Sequence, residues 1–359
     1  LAVPGRSGAR PRRFWEIWLS PADQPAWARP LLLAIAGLAA VLYAWNLDRA
    51  GLAPYYAVAV KSMSESWRAF IYGAYDPAAT ITIDKLAGSF LPQALSVRVF
   101  GFHPWSMALP QVLEGVVAVL VLYRAVRQWA GVVSALLAAL LFALTPIAAS
   151  VFGHSMEDGA LVLCLVLAAD AWQRAVSTGR LRSLVWSGVW VGLGFQAKML
   201  EAWLILPALF VGYLIAAPPR LTTRLWQLAV AGLVMVAVSL SWILLFTITP
   251  AGDRPYVDGS TDNSAFAMVF GYNGVERFGF SFPGAIGSGP GVAGGASGPA
   301  ALLGQPFGPT KLLSDAYGPQ AGWLYPLAVL ALVLAARLTV RTRRADPVWG
   351  GFLMWGTWL

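Results

Sequence analysis

The chain has 359 residues, of which 58% are hydrophobic and 12% charged, with a formal net charge of +8 and a mean hydropathy of +0.64. A soluble domain carries about 25% charged residues, and an outer-membrane barrel shows short alternating segments; neither describes this chain. Its apolar runs approach the roughly 20 residues needed to cross a bilayer, which predicts an all-α polytopic membrane protein.

In chain order, residues 1–29 form an Arg-rich flank ("RSGARPRR") with no visible cleavable signal. Residues 30–359 form one transmembrane domain. Spans are expected at 30–47, 106–123, 131–152, 158–173, 183–197, 201–217, 225–247 and 322–337, with another beginning near 348. Leu1 in place of Met, and the apolar run "GGFLMWGTWL" at the end, read as a fragment truncated at the C-terminus. The segments 53–71 and 86–103 mix charge with an apolar face and are read as amphipathic helices lying at the interface.

The arginines set the orientation. Arg6, Arg10, Arg12 and Arg13 share one side with Arg124, Arg127, Arg174, Arg180, Arg182, Arg220 and Arg224. By the positive-inside rule that side is cytosolic. The net charge then reflects orientation and contact with anionic lipid. Nucleic acid is not a partner, because no basic patch with interleaved aromatics lies outside the flanks. The segments 48–105 and 248–321 become long outer loops, the second containing a Gly/Pro-rich run that reads as mobile. The single cysteine, Cys164, forms no internal disulfide.

Charges are scarce, so those collected on the outer face are the candidates for chemistry. "YDPAATITIDK" holds Asp76, Asp84 and Lys85. "FGHSMEDGALVL" holds His154, Glu157 and Asp158 in a turn between spans, and "FQAKMLEAW" holds Lys198 and Glu201 in the next. The plain reading is solvated or snorkelling charge, a Lys198–Glu201 ion pair, and acids favouring a helix N-terminus. The functional reading gathers them on one face. A carboxylate there deprotonates an acceptor hydroxyl, and lysines hold a lipid-linked phosphate. His103 and His154 lack zinc-site spacing, so no metal site is assigned.

These residues carry a resemblance. "PYYAVAVKSMSESWRAFIYGAYDP…TIDK", "GFQAKMLEAWLILPAL" and "RPYVDGSTDNSAFAMVFGYNGVERF" resemble glycosyltransferase family 39 of the GT-C superfamily. That family includes protein O-mannosyltransferases and aminoarabinose transferases, and its bacterial mannosyltransferase-like branch matches best. The resemblance spans roughly residues 50–340. It implies a GT-C-type helix bundle with amphipathic helices in the first outer loop, and a multi-pass plasma-membrane enzyme with a cytosolic N-terminus. Such an enzyme moves a sugar from a polyprenyl-phosphate donor to an acceptor (protein, lipid or cell-wall glycan) on the outer face. Lys85 and Lys198 match residues that contact the lipid phosphate, and Asp158 matches an Asp opening a later span. The family's acidic pair before the first amphipathic helix is replaced here by "GLAP", Gly51–Pro54.

The expected base is Asp84, kept ionised by its neighbour Lys85, with Asp48, Asp76 and Asp158 as rivals. Glu157 and Asp158 position sugar or acceptor, or a divalent cation. Tyr55 and Tyr56 offer flat contact area for sugar or prenyl chain, and Asp76 joins them in positioning substrate. The alternatives are a non-catalytic lipid-binding or assembly protein of the same fold and a secondary transporter. The transporter would need a repeat that is not seen and has only Glu114 and Asp170 near span interiors.

Overall fold

The computed structural model describes residues 18–45, 47–49, 52–278, 280–287, 318–320, 322–330 and 333. The expected N-terminal flank up to residue 17, most of the Gly/Pro-rich run, and the span near 348 lie outside the described residues. Among the described residues the structure is helical, with isolated β-bridges only.

The helices are α1 (Ala28–Ala44), α2 (Pro54–Glu65), α3 (Trp67–Tyr72), α4 (Phe90–Phe100), α5 (Pro104–Leu144), α6 (Pro146–Phe152), α7 (Asp158–Thr178), α8 (Leu181–Lys198), α9 (Leu206–Ala216) and α10 (Leu221–Ile248). Among the described residues five stretches are long and apolar enough to cross a membrane, and the two longest, Pro104–Leu144 and Leu181–Ala216, each contain a reversal. In α5 the reversal is Gly131, at φ 81° and ψ 179°. Gly115 before it and Phe152 after it are packed so closely that a Cβ on Gly115 would overlap the Phe152 ring. Only a chain that doubles back brings those two together. The expected spans 106–123 and 131–152 therefore form two antiparallel helical arms; the first runs on to the glycine, and the second breaks at Thr145 between α5 and α6.

The second reversal is Met199, which ends α8 at φ 50°. The 3-10 stretch Met199–Ile205 then leads back into α9. A left-handed non-glycine costs about 1–3 kcal/mol and persists because packing on both sides fixes it. Trp172 donates its indole N–H to Leu209 O, and Tyr213 its hydroxyl to Gln227, tying α7, α9 and α10 together. The segment 86–103 is helical only from Phe90, because Leu86 and Ala87 are buried in the loop before it. Likewise 53–71 divides at Ser66, whose hydroxyl accepts the Ala69 N–H and starts α3.

Small residues let the helices approach. A Cβ on Gly188 or Gly192 of α8 would strike the backbone or side chains of α10. One core gathers Trp172, Leu184, Leu209 and Tyr213; another gathers Tyr43, Val119, Leu136 and Phe152. Burying side chains of this size contributes about 1.5–3 kcal/mol each in water, but between lipid-facing helices close packing carries more of the association.

Candidate functional site

The first loop leaves α3 at Gly73, in the left-handed region, where a Cβ would sit 2.6 Å from that of Ala87. Asp76 shapes the following turn. Its Oδ2 accepts the Thr80 and Ile81 N–H groups and the Thr80 hydroxyl. Slight burial pulls its pKa upward, but these donors outweigh that and hold the carboxyl below its usual range. Asp76 is thus spent on the turn rather than on the charged cluster.

Residues 80–85 are clamped from the other side by the segment 256–258. Thr82 N–H donates to Tyr256 O, Tyr256 N–H to Thr80 O, and Asp258 N–H to the Thr82 hydroxyl. Tyr55 of α2 donates its hydroxyl to Asp258 Oδ2 at 2.8 Å and accepts the Asp84 N–H at 3.1 Å. Asn273 Nδ2 donates to Asp84 O at 2.6 Å. Burial pushes the Tyr55 hydroxyl up, with the Asp84 and Asp258 charges adding to it.

The adjacency "DK" separates two environments. Lys85 turns inward, where its Nζ lies 3.2 Å from Glu157 Oε1 and 4.7 Å from the centre of the Tyr56 ring. Burial pulls the Lys85 ammonium down, but the Glu157 and Asp84 charges outweigh it and its pKa is raised. Asp84 makes no ion pair with its neighbour. Its Oδ1 is buried and without a hydrogen-bond partner. Burial pushes the Asp84 carboxyl up; Lys85 opposes this, and the Asp258 and Glu157 charges reinforce it. The expected depression of Asp84 by Lys85 is therefore reversed: Lys85 is engaged elsewhere and desolvation wins.

The turn before α7 delivers Glu157 and Asp158. It is held by Gln93 and Gln111, which both donate to Met156 O, while the Ser89 hydroxyl bonds to Glu157 O and Ala197 O. Glu157 Oε2 has no hydrogen-bond partner. Lys198 lies between Asp158 Oδ1 at 2.5 Å and Glu201 Oε2 at 3.3 Å, so the expected i,i+3 pair is present with a second acid added. The structure thus brings Tyr55, Tyr56, Asp84, Lys85, Glu157, Asp158 and Lys198 to one end of the bundle. Asp48 instead lines a separate pocket with Arg49 and Trp105. Among the described residues no cluster of three or more metal-ligating side chains forms. His154 bonds to Ser150 O, and His103 closes the capping box of α5.

Below the charges runs an apolar cleft of about 590 Å³. Its walls include Phe70, Leu91, Leu163, Leu193, Trp242 and Leu245, and its upper rim is Ala87, Gly88, Ala160 and Ala197. Those rim residues are within two or three positions of Lys85, Asp158 and Lys198. Glu114 also lines it, with Oε2 unpartnered beside Gly159.

Sequence reasoning assigned no role to Asp258, Asn273 or Arg277. Arg277 is exposed, and its guanidinium donates to Asn273 Oδ1 at 2.8 Å, which sets it beside Asp84. Its charge is among those felt by the Asp84 carboxyl. The signal was there in "RPYVDGS" and "GYNGVER", polar clusters in an otherwise Gly-rich loop.

Two helical reversals and the first loop bring a charged cluster and an apolar cleft together at one end of the bundle. Residues 88–242 match the family described as dolichyl-phosphate-mannose-protein mannosyltransferase. Two proteins of Bacillus subtilis (strain 168) are similar: "Putative mannosyltransferase YkcB", 39% identical over 247 residues, and "Putative mannosyltransferase YycA", 38% identical over 247 residues. Each alignment covers 69% of this chain, against 34% and 36% of the relatives, so the chain spans about a third of their length.

Two crystal structures share the fold. ArnT from Cupriavidus metallidurans, bound to undecaprenyl phosphate, superposes with a TM-score of 0.60 at 16% identity, covering 92% of this chain and 60% of that one. The oligosaccharyltransferase of Archaeoglobus fulgidus, tethered to an acceptor peptide, gives 0.50 at 14% identity, covering 92% and 48%. The family match and the two Bacillus relatives agree with the family that the sequence motifs resemble, and the two solved structures share this chain's fold.

Proposed function

We propose that this chain forms the membrane-embedded part of a glycosyltransferase that moves a sugar from a polyprenyl-phosphate donor to an acceptor on the outer face of the plasma membrane. The observation that carries the reading is a charged cluster next to an apolar cleft, whose rim residues lie within three positions of Lys85, Asp158 and Lys198 in the chain. A polyprenyl phosphate has the same division, with a hydrocarbon tail and a charged head. The solved relative bound to undecaprenyl phosphate supports this donor class, and the one tethered to an acceptor peptide supports transfer to a second molecule.

In this reading Lys85 and Lys198 face the phosphate. Each is already partnered by acid, so the phosphate shares their remaining ammonium donors. Arg277 has no acidic partner among the hydrogen bonds and ion pairs of the described residues and supplies the added positive charge. Asp84 is the base. Its unpartnered oxygen and raised pKa suit proton abstraction better than a carboxylate locked in an ion pair. Asp158 and Glu157 hold the lysines in place and border the sugar. Tyr56 lends Lys85 its ring face, and Tyr55 fixes the Asp84 backbone.

A polyprenyl phosphate carrying a photoreactive group in its tail tests the reading. Crosslinks at Phe70, Leu193 or Trp242 are expected. Crosslinks confined to the separate apolar pocket at Leu122, Phe142 and Val162 would contradict it.

A further inference from the structure

At the opposite end of the bundle, Asp170 of α7 is fully buried. Its two oxygens are saturated. Arg124 of α5 makes a forked contact, Nε to Oδ1 at 2.9 Å and Nη2 to Oδ2 at 2.6 Å. Arg174 donates to Oδ2 and Gln128 to Oδ1. One carboxylate therefore holds two guanidiniums, and the cluster keeps a net positive charge.

Both guanidiniums remain accessible, with side-chain exposures of 50% for Arg124 and 40% for Arg174. Each has N–H groups left over after binding Asp170. The neighbouring Arg127 differs, because it is neutralised by Asp23.

Depth narrows the partner. Asp170 lies eight residues short of the end of α7 at Thr178, about 12 Å by helical rise. Arg124 lies a similar distance before the reversal at Gly131. Arginines at that depth extend toward the headgroup layer, where lipid phosphates lie.

We propose that Arg124 and Arg174, preorganised by Asp170, form a binding site for the phosphate of an anionic phospholipid. The site is independent of the transferase reading, and its test uses no turnover. A fixed pair of guanidiniums matches phosphate oxygens through parallel N–H donors, and fixing them beforehand removes the cost of ordering two long side chains on binding.

Native mass spectrometry of the protein in neutral detergent, titrated with phosphatidylglycerol, phosphatidylcholine or inorganic phosphate, tests this. The wild-type protein should retain phosphatidylglycerol in preference to phosphatidylcholine. Arg124→Gln and Arg174→Gln should each weaken retention by about tenfold or more. Arg174→Lys should fall between, and Arg127→Gln should change little. If the glutamine variants do not fold, the wild-type lipid preference and Arg174→Lys still decide. No preference for phosphatidylglycerol, or equal retention by the Arg variants, would overturn the site. Displacement of the lipid by millimolar inorganic phosphate would overturn the lipid as its occupant.

Discussion

Lys85 Nζ lies 3.2 Å from Glu157 Oε1, joining the first loop to the start of α7 across 72 residues of sequence. Both side chains are nearly closed to solvent, at 9% and 7% exposure. The contact fixes where the loop sits, and so where Asp84 points.

Breaking that pair should be costly. Lys85→Met alone leaves the Glu157 charge buried, and removing one partner of such a pair typically costs about 3–5 kcal/mol. The double variant Lys85→Met/Glu157→Gln should recover most of the loss. Denaturant unfolding in detergent measures both; an unchanged midpoint for Lys85→Met would show that the pair does not hold the loop.

Lys198 should govern donor affinity. Lys198→Ala removes a charge-assisted contact worth about 1.5–3 kcal/mol, or roughly 10–150-fold in dissociation constant for a polyprenyl phosphate. Lys198→Arg should restore part of it, since charge is kept while shape changes. Equal affinity in the alanine variant counts against phosphate binding at this position.

Asp84 should set the pH dependence. The base works ionised, and burial with the Asp258 and Glu157 charges raises its pKa against the pull of Lys85. The rate should therefore rise with pH at values above the ordinary Asp pKa of about 3.9. Asp258→Asn removes a nearby negative charge, so it should move that rising limb to lower pH. A limb that stays in place assigns the titration to another group.

Gly88 tests the close approach of loop and helix. A Cβ there would lie 2.4 Å from the backbone oxygen of Gln196. Gly88→Ala should separate the loop from α8 and destabilise the protein by about 1–3 kcal/mol, with weaker donor binding because Lys85 and Lys198 move apart. Retained stability and affinity would show that the approach is not needed.

The arginine distribution sets an expectation of sidedness that labelling tests. In a Cys164→Ala background, Ala78→Cys on the exposed first loop should react with an impermeant thiol reagent in intact cells. Thr223→Cys, exposed at the start of α10, should react only after lysis. The reverse pattern would place the charged rim in the cytosol.

Much of this was legible in the sequence because membrane spans are written in long apolar runs. The reversals at Gly131 and Met199 were legible as interruptions in those runs. The convergence of Lys85, Glu157, Asp158 and Lys198 followed from placing alternate turns on one face. What sequence could not give was pairing. Lys85 stands next to Asp84 in the chain but bonds to Glu157, 72 residues away, a pairing that no local pattern encodes. Asp76 looked like a site residue, yet its oxygen is consumed by Thr80 and Ile81. Asp258 and Arg277 reach the site only through the fold of the 254–278 segment, which has no periodicity to read.

The central claim is most directly tested by sugar transfer from a labelled polyprenyl-phosphate mannose in membranes containing the full protein. Wild type should move label from the lipid to an acceptor fraction. Asp84→Asn should bind donor normally yet transfer about 10²–10⁴-fold more slowly. Transfer by Asp84→Asn at the wild-type rate would contradict the assignment of the base, and absence of transfer by wild type with every sugar offered would contradict the enzyme itself.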